Sequence, residues 1–339
     1  MSRKPKALVT ATLTRKALDK LATRVDVICE DWKTTGQIYF GDELKEKIIR
    51  NNVEILIVEA DQVTEETIRG TDLKFIGACR GNPYAVSVTT ATERGIPVVH
   101  APGRNSQAVA ELTICLMIAL LRKVVYAQRK LAEGVSYDSP GDFQRMYNSL
   151  EGSEISGKKV GIVGLGDIGT RVARVLSSFG ASLLVYDPYV SDAKIASVGA
   201  VRSSLEGLTA SSDVVTVHAK LTDETYHMIG EKEFASMKRS AVVINTSTPG
   251  ILDDVALLKA LNEGRIAGAA LDVQEAEPVD SGNPFLKLDN VVVTPHMGGN
   301  TQETTERQSE MIVGDLFRFL DGDRPLHLMN PEVYVNRRS

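Results

Sequence analysis

The run Val160-Gly161-Ile162-Val163-Gly164-Leu165-Gly166-Asp167-Ile168-Gly169 constrains the fold more than any other stretch of the chain. It reads as a buried strand, a glycine turn and the start of a helix. Gly164, Gly166 and Gly169 form G-x-G-x-x-G: the first permits the tight turn, the second admits a pyrophosphate, and the third lets helix and strand pack closely. The helix start turns unpaired N–H groups and its positive dipole end toward the phosphates. A second strand, Ala181 to Tyr186, ends in Asp187, about 20 residues downstream, where a carboxylate accepts ribose hydroxyls. An acid there repels a 2′-phosphate, so NAD is expected rather than NADP. The glycine loop alone also suits S-adenosylmethionine, but strand, turn, helix, strand and terminal acid in this order point to a dinucleotide.

The whole chain sets wider limits. Its 339 residues suggest about two domains. Hydrophobic content of 43% and charged content of 24% are ordinary for a globular protein. A net charge of −5, with Lys and Arg dispersed, gives no attraction to nucleic acid or an anionic membrane. The three cysteines, Cys29, Cys79 and Cys115, lack metal-ligand spacing and read as buried free thiols in a reducing compartment. The N-terminus shows no signal-peptide pattern, and the greasiest stretch, Leu112 to Leu121, is too short for a membrane span. The cytoplasm is the expected location.

In the first hundred residues, Lys6–Thr10, Val25–Cys29, Ile55–Val58, Phe75–Ala78 and Ile96–His100 read as strands, with helices such as Asp42–Asn51 and Glu65–Ile68 between them. This α/β alternation predicts a parallel sheet. No glycine turn follows its first strand, so this domain is expected to bind something other than a dinucleotide. After the turn Ala101–Asn105, a long helix is predicted from Ser106 to Leu131, apolar enough to be buried on both sides, bridging domains or forming a dimer. Glu133 to Gly157 reads as a loop. Six strands follow: Val160–Val163, Leu183–Tyr186, Val214–His218, Ala241–Asn245, Ala267–Leu271 and Val291–Thr294. A helix over Thr304–Leu320 could return to the first domain, and Asn330-Pro331-Glu332 opens an irregular tail. The expected division is 1–105 with 300–339, and 106–299.

Of five histidines, His296 stands out, because it follows a strand at the sheet edge where open α/β folds bind ligands. Pro295 before it and Gly298-Gly299 after it hold it on a tight loop. Asp272, Glu275 and Glu277 lie at another strand end, and one of them could orient the imidazole. Reduction of a ketone by hydride needs a proton for the developing alkoxide, a task suited to histidine.

In its motifs the chain resembles the D-isomer-specific 2-hydroxyacid dehydrogenase family, which includes phosphoglycerate, glycerate and D-lactate dehydrogenases. The resemblance runs through Gly95-Ile96-Pro97-Val98, Pro102-Gly103-Arg104-Asn105, Val109-Ala110-Glu111, Val160 to Gly169, Met237-Lys238, Ile244-Asn245-Thr246, Ala269 to Val273, Glu277-Pro278 and Thr294-Pro295-His296. It implies two doubly wound parallel-sheet domains, a Rossmann nucleotide-binding domain and a flavodoxin-like substrate domain, with a cleft between them that closes on substrate. It implies His296 as general acid/base with Glu277 as partner, and Asp272 at the nicotinamide amide. It further implies Asp167 and Ile168 under the pyrophosphate, and His218, Ala219, Lys220, Thr246, Ser247, Gly298 and Gly299 beside the cofactor. His100, His227 and His327 are left as surface or packing residues. A homodimer and a small 2-oxo or 2-hydroxy acid as substrate follow at the same level.

The chain departs from the family where an arginine binds the substrate carboxylate and carbonyl: the alignment of Ile244 to Asp253 puts Thr248 there. Threonine cannot form a bidentate fork, and losing a charge-assisted hydrogen bond costs about 1.5–3 kcal/mol. Arg80, in Cys79-Arg80-Gly81-Asn82-Pro83, could supply the missing charge in the loop where backbone N–H groups, Gly81 among them, meet the carboxylate. Ala85-Val86-Ser87 stands where the family commonly has Asn-Val-Asp. Two functions are therefore expected. The first is an NAD-dependent oxidoreductase interconverting a 2-oxo acid and a D-2-hydroxy acid. The second is an NAD(H)-binding regulator with weakened catalysis. A methyltransferase leaves Asp272, Glu277 and His296 unexplained.

Overall fold

The computed structural model describes residues 3–134 and 139–335. The chain divides into two compact units, residues 1–105 with 300–339, and residues 106–299. Short apolar runs rich in Val and Ile form the strands of both. Such runs suit parallel sheets covered on two faces.

The first unit has β1 (Lys6–Val9), β2 (Asp26–Cys29), β3 (Ile55–Val58), β4 (Phe75–Ala78) and β5 (Val98–His100). They pair in parallel in the order β2-β1-β3-β4-β5, the flavodoxin-like arrangement. β3 and β4 are buried throughout. The helix Gln302–Leu320, capped by the Thr301 side chain, packs on β4 and β5. Its Ile312 approaches so closely that a Cβ at Gly77 would stand 2.8 Å from the isoleucine methyl. Of the expected irregular tail, residues 330–335 have defined structure instead, and residues 336–339 lie outside the described residues. Met329 N donates to Val98 O, and buried Asn330 accepts from Val98 N and donates to Ile96 O. A short helix, Glu332–Val335, follows.

The second unit has β6 (Lys159–Val163), β7 (Ser182–Tyr186), β8 (Ala200–Arg202), β9 (Val214–Val217), β10 (Val242–Asn245), β11 (Gly268–Leu271) and β12 (Val291–Val293). All pairings are parallel in the order β12-β11-β10-β9-β6-β7-β8, which is the six-stranded doubly wound order with a seventh strand added. Six strands were expected. The missed one, β8, is a three-residue edge strand with two exposed residues, too short and too polar to register as an apolar run.

Three further expectations are corrected. The helix foreseen over Ser106–Leu131 is two helices, Ser106–Leu121 and Val124–Ala132, broken where Lys123 turns to φ +53°. Within the single chain, Gln107, Glu111 and Cys115 of the first helix are exposed. The loop read over Glu133–Gly157 contains a helix, Pro140–Ser149, capped by the Ser139 hydroxyl and opened by proline; residues 135–138 of that loop lie outside the described residues. Of the cysteines read as buried, only Cys79 is so, while Cys29 and Cys115 are exposed.

Candidate active site

Strand β6 delivers the chain into the glycine turn, and the turn is sterically specified. Gly164 sits at φ +91°, and a Cβ there would lie 2.8 Å from Ala219 N. A Cβ on Gly169 would lie 2.2 Å from Gly164 O, so helix and strand can meet only at glycine. Nothing stands within 4 Å of the corresponding position at Gly166, which leaves the turn open on that side. The helix Asp167–Ser178 starts there without a side-chain cap, and Thr170 N is bonded to Gly166 O at 3.0 Å. The helix N-terminus and the open glycine together fit a pyrophosphate.

Asp187, at the end of β7, accepts from Leu165 N at 2.7 Å and from Tyr189 N at 2.9 Å. It thereby ties the glycine turn to the turn after β7, and each oxygen keeps a lone pair for a ribose hydroxyl. His218 follows β9. Its Nε2 lies 3.0 Å from Thr216 Oγ1, while its buried Nδ1 has no partner. Burial pulls its pKa down to about 3, so the ring is neutral. Ala219 is half-buried and Lys220 exposed in the same loop. After β10, Thr246 is buried with its hydroxyl 2.7 Å from that of Thr113, and Ser247 donates to Asn245 Oδ1. Thr246 is thus turned into the core. Thr248 follows, half-buried.

The acid and histidine converge at the ends of β11 and β12. Asp272 is 1% exposed. Its carboxylate accepts from Thr294 Oγ1 at 2.6 Å, Met297 N at 2.9 Å and Gly298 N at 2.8 Å. Its main chain binds Asn245 O and His296 N. Both Asp272 oxygens therefore hold the histidine loop, with Gly299 just beyond it. His296 itself has φ +54°, a left-handed backbone that a non-glycine residue adopts only when its surroundings enforce it. Its Nδ1 lies 2.9 Å from Glu277 Oε2, and Glu277 Oε1 accepts from Gln274 N at 3.2 Å. The imidazole is half exposed, with Nε2 left for a reacting group.

In the first unit, Arg80 follows β4. Its Nε donates to Glu59 O at 2.8 Å, which fixes the guanidinium plane. Gly81 is exposed, and its carbonyl lies 2.8 Å from His100 Nδ1. Sequence reasoning missed the network behind Arg80. Arg104 pairs with Glu59 at 3.1 Å and with Gln308, and Glu59 also accepts from Trp32 Nε1 at 3.1 Å. An arginine in a Pro-Gly-Arg-Asn turn has no periodic signal that reveals its burial.

The remaining histidines are less bland than expected. His227 Nε2 lies 2.5 Å from Glu275, and His327 Nδ1 lies 2.8 Å from buried Asp315. Beside His227, burial pushes Asp254 up to about 6. Among the described residues, no group of three His, Cys, Asp or Glu is arranged to hold a metal ion.

A parallel sheet with this glycine turn, strand-end acid and acid–histidine pair defines a dinucleotide-dependent oxidoreductase. Residues 114–298 match the family model described as "D-isomer specific 2-hydroxyacid dehydrogenase, NAD binding domain". The chain is 36% identical over 337 residues to glyoxylate reductase of Thermofilum pendens, covering 97% of this chain and 96% of that one. It is 34% identical to hydroxypyruvate reductase of Thermotoga maritima over 307 residues, covering 89% and 96%. The crystal structure of the TT0316 protein from Thermus thermophilus superposes with a TM-score of 0.85 at 32% identity, covering 96% of this chain and 99% of that one. The chain belongs to the D-isomer-specific 2-hydroxyacid dehydrogenase family, and its second unit carries that family's NAD-binding domain.

Proposed function

We propose that the protein interconverts a small 2-oxo acid and its D-2-hydroxy acid, with His296 as general acid/base. The observation that carries this reading is the His296–Glu277 pair at 2.9 Å, presented with Nε2 open. When bound beside the glycine turn, NADH would supply the hydride for reduction and NAD+ would accept it on oxidation. His296 Nε2 gives a proton to the alkoxide on reduction and takes it from the hydroxyl on oxidation. Glu277 holds Nδ1–H, which fixes the tautomer and stabilises the imidazolium. Arg80, with Gly81 N–H, takes the substrate carboxylate, the task of the arginine that Thr248 replaces. The relatives named for glyoxylate and hydroxypyruvate support a short 2-oxo acid. The alternative of a non-catalytic NAD(H)-binding regulator has no support, since those relatives carry enzyme names over nearly the whole chain.

NADH oxidation against glyoxylate, hydroxypyruvate, pyruvate and phosphohydroxypyruvate tests the reading. Turnover of at least one, abolished in His296→Asn, is the expected result. NADH binding without turnover of any would overturn it.

The protein acts in the cytoplasm as a homodimer. No described helix is long and apolar enough to cross a membrane. Val124, Val125 and Leu131 on one helix, and Phe143 and Tyr147 on the next, are exposed apolar residues that a second copy would cover. Light scattering should give twice the 36.8 kDa chain mass, and a monomer would refute the dimer.

A further inference from the structure

Tyr189 is an exposed tyrosine, 81% accessible, yet it is not loose. Its hydroxyl donates to Glu224 Oε2 at 2.8 Å. The two residues belong to loops that do not follow neighbouring strands. Tyr189 lies in the turn after β7 and Glu224 in the loop after β9, while β6 runs between those strands. Strands two places apart are about 10 Å from one another. The hydrogen bond therefore joins the loops that flank the glycine turn at the end of β6.

Both ends of this bridge are built. On the β7 side, Tyr189 N is held by Asp187 Oδ1. Arg202 donates from Nη1 to Asp187 O at 2.8 Å and from Nη2 to Val190 O at 2.5 Å, and its Nε meets Asp192 at 2.5 Å. On the β9 side, Thr225 Oγ1 donates to Lys220 O at 2.6 Å, Thr222 N donates to Thr225 Oγ1 at 2.8 Å, and Tyr226 N bonds to Thr222 O. Glu224 also pushes the Tyr189 phenol above its ordinary pKa, so the hydroxyl keeps its proton across the neutral range.

A dinucleotide enters such a sheet at the crevice by the glycine turn, with its adenosine ribose at the strand-end acid. That acid, Asp187, is the residue that holds Tyr189 N. We propose that Tyr189 and Glu224 form a clasp that retains the adenosine half of the dinucleotide and must part for it to leave. The clasp acts on residence and not on the hydride step, so these are positioning residues. Arg202 is the brace that keeps its tyrosine end in place.

The test is the NADH dissociation rate, read by stopped-flow displacement on the full-length protein. Tyr189→Phe keeps the ring and removes only the hydroxyl. Glu224→Ala removes the acceptor. Each should speed NADH release about three- to tenfold, the worth of one net hydrogen bond. The double variant should release no faster than either single one, because both remove the same bond. AMP should bind more weakly by the same factor in each variant, while nicotinamide mononucleotide should bind as it does to the unaltered protein. Both residues are exposed, so the fold should survive, with an unchanged circular dichroism spectrum as the check. Release rates unchanged in both single variants would overturn the clasp. So would multiplicative effects in the double variant, or equal weakening of AMP and nicotinamide mononucleotide.

Discussion

Arg104 and Glu59 form an ion pair of 3.1 Å in which the two side chains are only 11% and 8% exposed. Burial pulls Arg104 below its usual pKa, and the Glu59 charge opposes that pull. Removing one partner leaves the other charged and dry. Glu59→Ala is therefore expected to cost about 3–5 kcal/mol of unfolding free energy. Urea titration checks it, and a loss below about 1 kcal/mol would mean that water reaches Arg104 in the variant.

Arg80→Ala is expected to raise the KM for the 2-oxo acid by about one to two orders of magnitude, from loss of a charge-assisted hydrogen bond. Arg80→Lys should recover only part of this, because an ammonium cannot form the planar fork. NADH affinity, measured separately by fluorescence, should stay as it was. Unaltered substrate kinetics in Arg80→Ala would remove this arginine from the site.

Two glycines of one turn should fail in different ways. Gly169→Ala puts a Cβ 2.2 Å from a backbone oxygen, so it should lower the melting temperature as well as NADH affinity. Gly166→Ala meets nothing within 4 Å, so the melting temperature should hold while NADH affinity falls. Thermal scans and NADH titrations distinguish the two. Equal melting losses would contradict the steric account.

Asp254, raised to about 6 by burial, binds a proton more tightly folded than unfolded. Its contribution to stability is complete below the unfolded carboxylate value and is lost as pH rises through about 6. Asp254→Asn should therefore gain stability relative to the unaltered protein at pH 8 and not at pH 4, as urea midpoints at both pH values would report. His218 has the opposite sign. Its folded pKa is depressed to about 3, so its contribution is present above the unfolded histidine value and is lost as pH falls toward 3. Its ring resonances should not titrate between about pH 5 and 8 in NMR spectra, and a midpoint there would show that the ring is solvated.

What the sequence made legible, and what it hid, follows physical lines. Strands such as Ile55–Val58 and Phe75–Ala78 are continuous apolar runs, and burial on both faces is what such runs mean. β8 was invisible because an edge strand with Val201 and Arg202 in water needs no apolar pattern. The break at Lys123 was hidden because Leu121-Arg122-Lys123-Val124 holds neither glycine nor proline, and arginine and lysine are good helix formers. At the site, the strand-end position of His296 pointed to chemistry but left Asp272, Glu275 and Glu277 open as its partner; only the family resemblance implied Glu277, and the two meet at 2.9 Å. The turning of Thr246 inward onto Thr113, and of Asp272 onto its own histidine loop, depends on side-chain directions that spacing does not encode.

The helix Gln302–Leu320 covers β4 and β5 from the far end of the chain. During synthesis, the first 105 residues leave the ribosome without it, while residues 106–299 follow as one uninterrupted stretch. The later segment can thus complete its own core first, and the earlier one must wait with part of its apolar sheet uncovered. A nascent chain halted near residue 299 should accordingly be a strong client for chaperones that bind exposed hydrophobic surface, and release from them should coincide with emergence of Ile312 and Leu316.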